Sequence, residues 1–177
     1  MEAVVDRARA WAQTERHFEV DAEQLRACLL AVLPADRVLC APEELAPYEC
    51  DGLSVFRAQP LAVVLPQSED EVVAVLKVCH EMGVPVVPRG AGTGLSGGAM
   101  PHPQGVVLSL ARLNRILAID PVARTARVQP GVRNLTISEA VAPYGLYYAP
   151  DPSSQIACTI GGNVAENSGG VHCLKYG

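Results

Sequence analysis

The sequence predicts an α+β fold, a small parallel sheet flanked by helices and followed by the start of a second, mixed or antiparallel lobe. Three observations carry this expectation. Apolar runs at 61–65 and 84–88 enclose a helix-length segment that opens on a capping pattern, and a strand–helix–strand unit of this kind implies a parallel pair joined by a right-handed crossover. Two short strand patterns at 117–120 and 125–129, separated by PVAR, read as a hairpin. Finally, two stretches rich in glycine, RGAGTGLSGG at 89–98 and TIGGNVAENSGG at 159–170, interrupt the regular pattern and read as loops.

In chain order, residues 1–20 read as a loose arm or a short helix, with Val4, Ala8, Trp11 and Ala12 on one face. Asp21-Ala22-Glu23-Gln24 has the form of a capping box. Leu25, Cys28, Leu29, Val32 and Leu33 follow at helical spacing, and Pro34 closes the element. Residues 42–60 look like an irregular connection. The expected division is therefore a helical segment with its connection at 1–55 and a domain at 56–177. Ser68-Glu69-Asp70-Glu71 is a second capping box, and Val72, Val73, Leu76, Cys79 and Met82 supply a stripe for burial. Gly83 is placed to end that helix. Residues 106–110 form a third strand, and Asn134 is expected to cap a helix running to about Val141, before Pro143 and Gly145. The run 146–149 then leads through PDPSS at 150–154 to the second glycine stretch.

Composition narrows the function classes. Among 177 residues, 49% are hydrophobic and 19% charged, which describes an ordered globular protein. The formal net charge of −5 argues against nucleic acid as a partner, since such a surface is normally basic. No apolar run reaches the roughly 18 residues of a membrane span, and no apolar block suited to export opens the chain, so a cytoplasmic location is expected. Cys28, Cys40, Cys50, Cys79, Cys158 and Cys173 include no C-x-x-C pair. That spacing favours reduced thiols over a zinc site or a disulfide scaffold, and no metal site is expected. Asn134-Leu135-Thr136 matches a glycosylation acceptor, which is a chance match in a protein that is not exported.

Glycine fills five of the ten places in 89–98. Residues without a Cβ adopt positive φ readily and let main-chain N–H groups approach a ligand. Successive N–H groups in such turns form concave nests for anions, phosphates above all. Two such stretches in one chain point to a large phosphate-bearing ligand held at two places. Gly92-x-Gly94-x-x-Gly97 matches the dinucleotide fingerprint as a string, but in a nicotinamide-binding fold that string opens a helix. Here Pro101 and Pro103 follow almost at once, and Asp120, the acid at a suitable distance for a ribose, falls in the expected hairpin. A nucleoside-triphosphate loop fails because no Gly-Lys-Ser/Thr follows the glycines.

PVVPRGAGTGLSGG (85–98), YYAPDPSSQIACTIGGNVAENSGG (147–170) and VHCLKYG (171–177), together with PYECDG at 47–52, resemble the flavin-binding half of the vanillyl-alcohol-oxidase-like flavoproteins. The chain is most similar to the branch containing the FAD-linked subunits of bacterial glycolate oxidase. D-lactate and D-2-hydroxyglutarate dehydrogenases share the pattern more loosely. The resemblance covers nearly the whole chain and implies the N-terminal lobe of a PCMH-type FAD-binding domain, with FAD in a cleft between two lobes and a separate cap domain supplying most substrate contacts. It implies that main-chain N–H groups of Gly90, Ala91, Gly92, Thr93, Gly94, Leu95 and Ser96, with Gly97 beside them, hold the FAD pyrophosphate. Pro150, Asp151, Ser153, Ser154, Ile160, Gly161, Gly162 and Asn163, with Asn167 and Gly170, would approach the isoalloxazine and ribityl portions. The two asparagines carry both donors and acceptors, which suits the mixed edge of a flavin, and equally suits tying their own loop to main chain.

Arg89 stands either near the diphosphate or in a salt bridge anchoring the loop from outside. Some members of the family carry, at the position of Thr93, a histidine that bonds covalently to the flavin. Threonine cannot form that link, so the resemblance implies non-covalent, dissociable FAD. Cys158 and Cys173 are expected to be buried packing groups rather than flavin attachments. His172 and Cys173 are adjacent, and adjacent residues of extended chain point apart, so they do not share a metal.

The implied reaction is oxidation of a 2-hydroxy acid, glycolate or D-lactate, to the 2-oxo acid, with two electrons and a proton passing to flavin N5. In the family, the remainder of the flavin domain, the cap and a histidine-rich metal or substrate site follow the segment matched here. The chain thus reads as the N-terminal part of a longer protein, and no catalytic residue is nominated in it. The resemblance further implies companion flavin and iron–sulfur subunits at the inner face of the membrane. An incomplete domain is also expected to expose an apolar face and to self-associate or dock on another chain. The alternative function is a catalytically inactive flavin-binding or assembly piece.

Overall fold

A computed structural model describes residues 20–176; the arm expected at 1–20 lies, but for Val20, outside the described residues. Helix α1 (Ala22–Val32) begins at Asp21, whose carboxylate accepts from the amides of Glu23 and Gln24 at 3.0 Å each. After a 3₁₀ turn (Ala35–Arg37) comes a two-residue strand, β1 (Val38–Leu39), that periodicity had not marked. The connection expected to be irregular is ordered in its first part, as α2 (Pro42–Leu45) and a 3₁₀ turn (Ala46–Tyr48). Pro42 suits the first helical position, where no amide donor is needed. Glu44 reaches back to the amides of Cys40 and Ala41 at 3.2 and 3.1 Å.

Strands β2 (Ala62–Val64), β3 (Val86–Arg89) and β4 (Val106–Ser109) join β1 in one sheet of order β1-β2-β4-β3. β2 and β3 run parallel but do not pair, because β4 lies between them and pairs with both. This corrects the direct pairing expected of the strand–helix–strand unit. Val106, Val107 and Leu108 are all buried, which suits a strand paired along both edges. β3 contains Pro88, which has no amide hydrogen and is tolerated where one edge of the strand is free.

The period of two along these strands divides the core. Ala62, Val64, Val106 and Leu108 face α1 and helix α3 (Glu69–Glu81), against Leu25, Leu29, Val75 and Cys79. Val63 and Val107 face the other side, against Leu45 with Leu39 and Tyr48. On α3 the buried stripe is set differently from the one expected: Val75 and Cys79 are buried, while Val73 and Leu76 are exposed. Residues 72, 75, 79 and 82 follow helical spacing in one line, and 73 and 76 fall beside it. Burial pushes the Cys79 thiol up to about 11, consistent with a packing role. At the start of α3, Ser68 Oγ accepts from the Glu71 amide at 3.2 Å. The Glu71 carboxylate, however, accepts from the Gln67 amide at 2.7 Å and pairs with Arg37 at 2.6 Å, so the capping box is one residue wider than the sequence pattern. Gly83 follows the helix with φ of 67°.

Strands β5 (Ile116–Asp120) and β6 (Thr125–Val128) form a separate antiparallel pair. Asp120 accepts from the amides of Val122 and Ala123 at 3.0 and 2.9 Å, so the acid that a nicotinamide reading needed serves the hairpin turn. Helix α4 (Asn134–Val141) has Arg133, not Asn134, at its N-cap. Asn134 is fully buried and donates from Nδ2 to the Pro150 carbonyl at 2.9 Å, which turns its side chain away from its own helix. The second glycine stretch is not a loop throughout: Ile160–Glu166 is helix α5, and a short helix α6 (Cys173–Tyr176) follows it.

Candidate cofactor-binding site

β3 delivers the chain to the first glycine stretch at Arg89, which is 8% exposed. Its guanidinium donates to the Cys50 carbonyl at 2.7 Å and, more weakly, to the carbonyls of Ala99 and Pro47 at 3.5 Å. It also lies 5.5 Å from the centre of the Tyr48 ring. Arg89 therefore anchors the loop from beneath, through main-chain carbonyls instead of the salt bridge considered above. Gly92, with φ of 71°, lies directly over it, and a Cβ there would collide with the guanidinium. A second support comes from Gly52, whose amide donates to the Gly94 carbonyl at 2.9 Å. Asp51 beside it is buried and accepts from the Leu53 amide at 2.8 Å.

The second stretch is built on residues 130–134. The Ile160 amide donates to the Val132 carbonyl at 2.8 Å, the Gly161 amide to that of Pro130 at 2.9 Å, and the Asn134 amide to that of Cys158 at 3.0 Å. A Cβ on Gly161 would stand 2.9 Å from Pro130 Cβ, so glycine here permits the first turn of α5 to seat closely. Asn167 ends α5 in the left-handed conformation.

These supports bring the two stretches together. Gly90 packs on Thr159 so closely that a Cβ would overlap Thr159 Oγ1. Between them lies a cleft of about 210 Å³, with Gly90, Ala91, Gly92, Thr93 and Gly94 on one wall and Thr159, Gly162, Asn163 and Glu166 on the other. A neighbouring cleft of about 350 Å³ shares Gly90, Ala91 and Thr159 with it, and one of about 180 Å³ joins Asn163 to Pro150 and Asn167. The remaining expected residues sit elsewhere. Leu95 and Ser96 are exposed and, like Gly97, do not line the cleft. The amides of Ile160 and Gly161 point to the turn at residues 130–132. Asp151 is bridged to Gly170, and its carboxylate accepts from the Val171 amide and meets His172 Nδ1, both at 3.1 Å. Ser153 and Ser154 lie in a turn in which the Ser154 carbonyl accepts from the Cys158 amide at 2.8 Å. Cys158 is buried, as expected, but Cys173 is exposed because α6 projects from the surface.

The chemistry of the cleft suits a ligand rich in acceptors. Among the described residues, the amides from residue 90 to residue 96 donate to no main-chain acceptor, which leaves a run of donors for a ligand. Thr159 Oγ1 and Asn163 Nδ2 are buried without a hydrogen-bond partner, an arrangement that costs stability unless something else supplies the partner. Burial raises the Tyr148 phenol above its ordinary value, so at neutral pH it stays a donor beside Pro150. Sequence reasoning missed four contributors. Asn134 and the carbonyls of Pro130 and Val132 carry no local signal, since their role is defined by partners 16 to 31 positions away. Glu166 lay in plain view inside the second stretch, and its glycine-rich surroundings concealed it.

The profile of the FAD binding domain family matches residues 60–177. The chain is 64% identical over 159 residues to the glycolate oxidase subunit GlcD of Escherichia coli, a match covering 90% of this chain and 32% of that protein. It is 40% identical over 142 residues to the D-lactate dehydrogenase of Anaerostipes hadrus, covering 80% and 30% of the two. The chain thus spans about a third of the length of the curated relatives it matches. Among solved structures, an alkyldihydroxyacetonephosphate synthase superposes with a TM-score of 0.78 at 24% identity over 88% of this chain and 31% of that one, which bears on fold alone. A p-cresol methylhydroxylase superposes with a TM-score of 0.62 at 29% identity, over 72% and 27%. The architecture is that of the PCMH-type FAD-binding fold, and no helix among the described residues is long and apolar enough to cross a membrane. The chain belongs to the FAD binding domain family, and its cofactor is FAD.

Proposed function

We propose that the two glycine stretches hold one FAD molecule. Its diphosphate lies against the unpaired amides of residues 90–96, and its ribityl and ring portions extend past Gly162 and Asn163 toward Pro150 and Asn167. The observation that carries this reading is the convergence of both stretches on one cleft whose walls keep free amides and two orphaned buried polar atoms. Leu95, Ser96 and Gly97 contribute main chain only, and Arg89 acts by shaping the loop. Asp151, Ser153, Ser154, Ile160, Gly161 and Gly170 form the scaffold behind the ring side. The flavin-binding unit begins near residue 56, and the segment before it supplies α1 and Leu45 to the shared core. Because Thr93 offers no ring nitrogen, the FAD is dissociable, and acid precipitation releases it intact.

The activity follows from the similarity to the glycolate oxidase subunit and the D-lactate dehydrogenase. At the length of those relatives, the protein oxidises a 2-hydroxy acid to the 2-oxo acid, glycolate or D-lactate being the substrate. When bound, FAD supplies the two-electron acceptor at N5, while this chain's residues bind and orient it and keep its diphosphate out of bulk water. The base for the hydroxyl proton and the cations for the substrate carboxylate are not assigned to this chain. Companion subunits, an iron–sulfur one among them, and a peripheral place at the inner membrane belong to the same proposal.

A second reading concerns the 177 residues alone. Val171 and Leu174, which follow the cleft-lining residues in sequence, are 83% and 102% exposed. An apolar surface of this kind favours a flavin-binding piece that self-associates or docks, without turnover of its own. Titrating the purified chain with FAD, then adding glycolate or D-lactate with an artificial electron acceptor, separates the readings. Bound flavin bleached by substrate supports the enzyme. Bound flavin that stays oxidised supports the binding piece, and no flavin uptake refutes the site.

A further inference from the structure

The residues lining the 210 Å³ cleft include no lysine, arginine, histidine or aspartate, and one carboxylate, that of Glu166. Its carboxylate stands over the first glycine stretch: a Cβ on Gly94 would overlap Glu166 Oε1, and one on Gly98 would lie 3.8 Å from it. No ion pair among the described residues engages it. The cation nearest in the loop, Arg89, lies under Gly92 with its donors turned to the carbonyls of Cys50 and Ala99. A cleft built from amides for an anion thus carries an unneutralised acid at its wall.

We propose that Glu166 is a specificity-determining residue that limits the ligand charge this cleft accepts. The inference rests on the reading of the cleft as a diphosphate site. An internal diphosphate, esterified at both ends as in a dinucleotide, carries one negative charge fewer than a nucleotide ending in a free diphosphate. The amides satisfy the internal form, and the unpaired carboxylate penalises the extra charge of the terminal form. Discrimination by an uncompensated like charge needs no added contact to the favoured ligand. It keeps abundant nucleoside di- and triphosphates from competing for the diphosphate site.

The test is competition binding of ADP-ribose and ADP, which share the adenosine diphosphate and differ in whether the second phosphate is esterified. Each is titrated against the FAD-loaded chain and its Glu166→Gln variant, with displaced FAD fluorescence as the readout. Wild type is expected to prefer ADP-ribose. In E166Q, ADP affinity should rise about threefold to tenfold, ADP-ribose affinity should rise less, and the gain should shrink as salt is added. An unchanged ADP-ribose to ADP ratio overturns the proposal while leaving the diphosphate site intact. Weaker ADP-ribose binding in E166Q also overturns it, and makes Glu166 an acceptor for a ligand hydroxyl instead. If FAD binds but neither compound displaces it from either protein, the diphosphate reading fails and the charge limit fails with it.

Discussion

The two glycine stretches have similar composition and opposite conformations. Residues 89–98 form an irregular loop with positive φ at Gly92 and Gly97, held from beneath by a buried arginine. Residues 160–166 form a helix, in which Gly161 and Gly162 adopt ordinary helical backbone. In the first stretch glycine is needed for conformation, at Gly92, and for leaving amides bare. In the second it is needed for distance, because Gly161 seats the first turn of α5 on Pro130 at a separation a Cβ would crowd. A run of glycines therefore states that backbone must come close to something, and it leaves open whether that neighbour is a ligand or another strand of the same protein.

The contrast can be broken at its most demanding point by Arg89→Met. That change leaves the carbonyls of Cys50 and Ala99 without their charged donor, and it should cost about 3 kcal/mol in urea denaturation. A loss well under 1 kcal/mol would mean the loop holds its shape unaided. Gly161→Ala is the sharper test, because two effects oppose each other. Helix propensity favours alanine by about 0.5–1 kcal/mol, whereas the Cβ would sit 2.9 Å from Pro130 Cβ. Overpacking should prevail, with a net loss of about 1–2 kcal/mol; a stabilised variant would show that close approach is not the reason for this glycine.

Thr159→Val removes an orphaned buried hydroxyl at the point where the stretches meet. Thermal stability of the FAD-free chain should rise by about 1 kcal/mol, since the variant no longer buries a hydroxyl that gives up its water on folding without a new partner. FAD affinity should nevertheless fall several-fold. The smallest effect lies outside both stretches, at Glu71, where α3 begins. The Gln67 amide, with help from Arg37 and Ser68, holds its carboxyl below the ordinary value near 4.5. A depressed folded-state value makes the contribution complete above that pH and lost as pH falls through the lowered value. The difference in melting temperature between wild type and Glu71→Gln should be present at neutral pH and vanish on the acid side of 4.5.

Much of the fold could be read locally. Asp21 and Ser68 cap the helices expected of them, Gly83 ends the second, and Asp120 turns the hairpin, each through partners within four residues. Errors appeared wherever the deciding partner was distant. β4 entered between β2 and β3 because two long crossovers placed it there, a choice that apolar content alone does not encode. Asn134 looked like a cap since its local surroundings allow one, yet the Pro150 carbonyl 16 residues on claimed its amide group. At the site, the glycines that bare the backbone were legible, but Arg89's direction and Glu166's place over Gly94 were not.

By itself, then, the sequence determined the two long helices that begin at Asp21 and Ser68, the strands of the main sheet from residue 61 onward, the hairpin, and that two lengths of backbone must be left unobstructed. Those properties depend on side-chain size, on hydrogen bonds to near neighbours and on periodic burial, all of which are written along the chain. Only the tertiary structure decided that the two lengths face one cleft, that one of them is a helix, and that the cleft's single charge is an acid. These outcomes depend on contacts across tens of residues, where the geometry of the whole sheet and of the 130–134 segment selects among partners that local chemistry leaves equivalent.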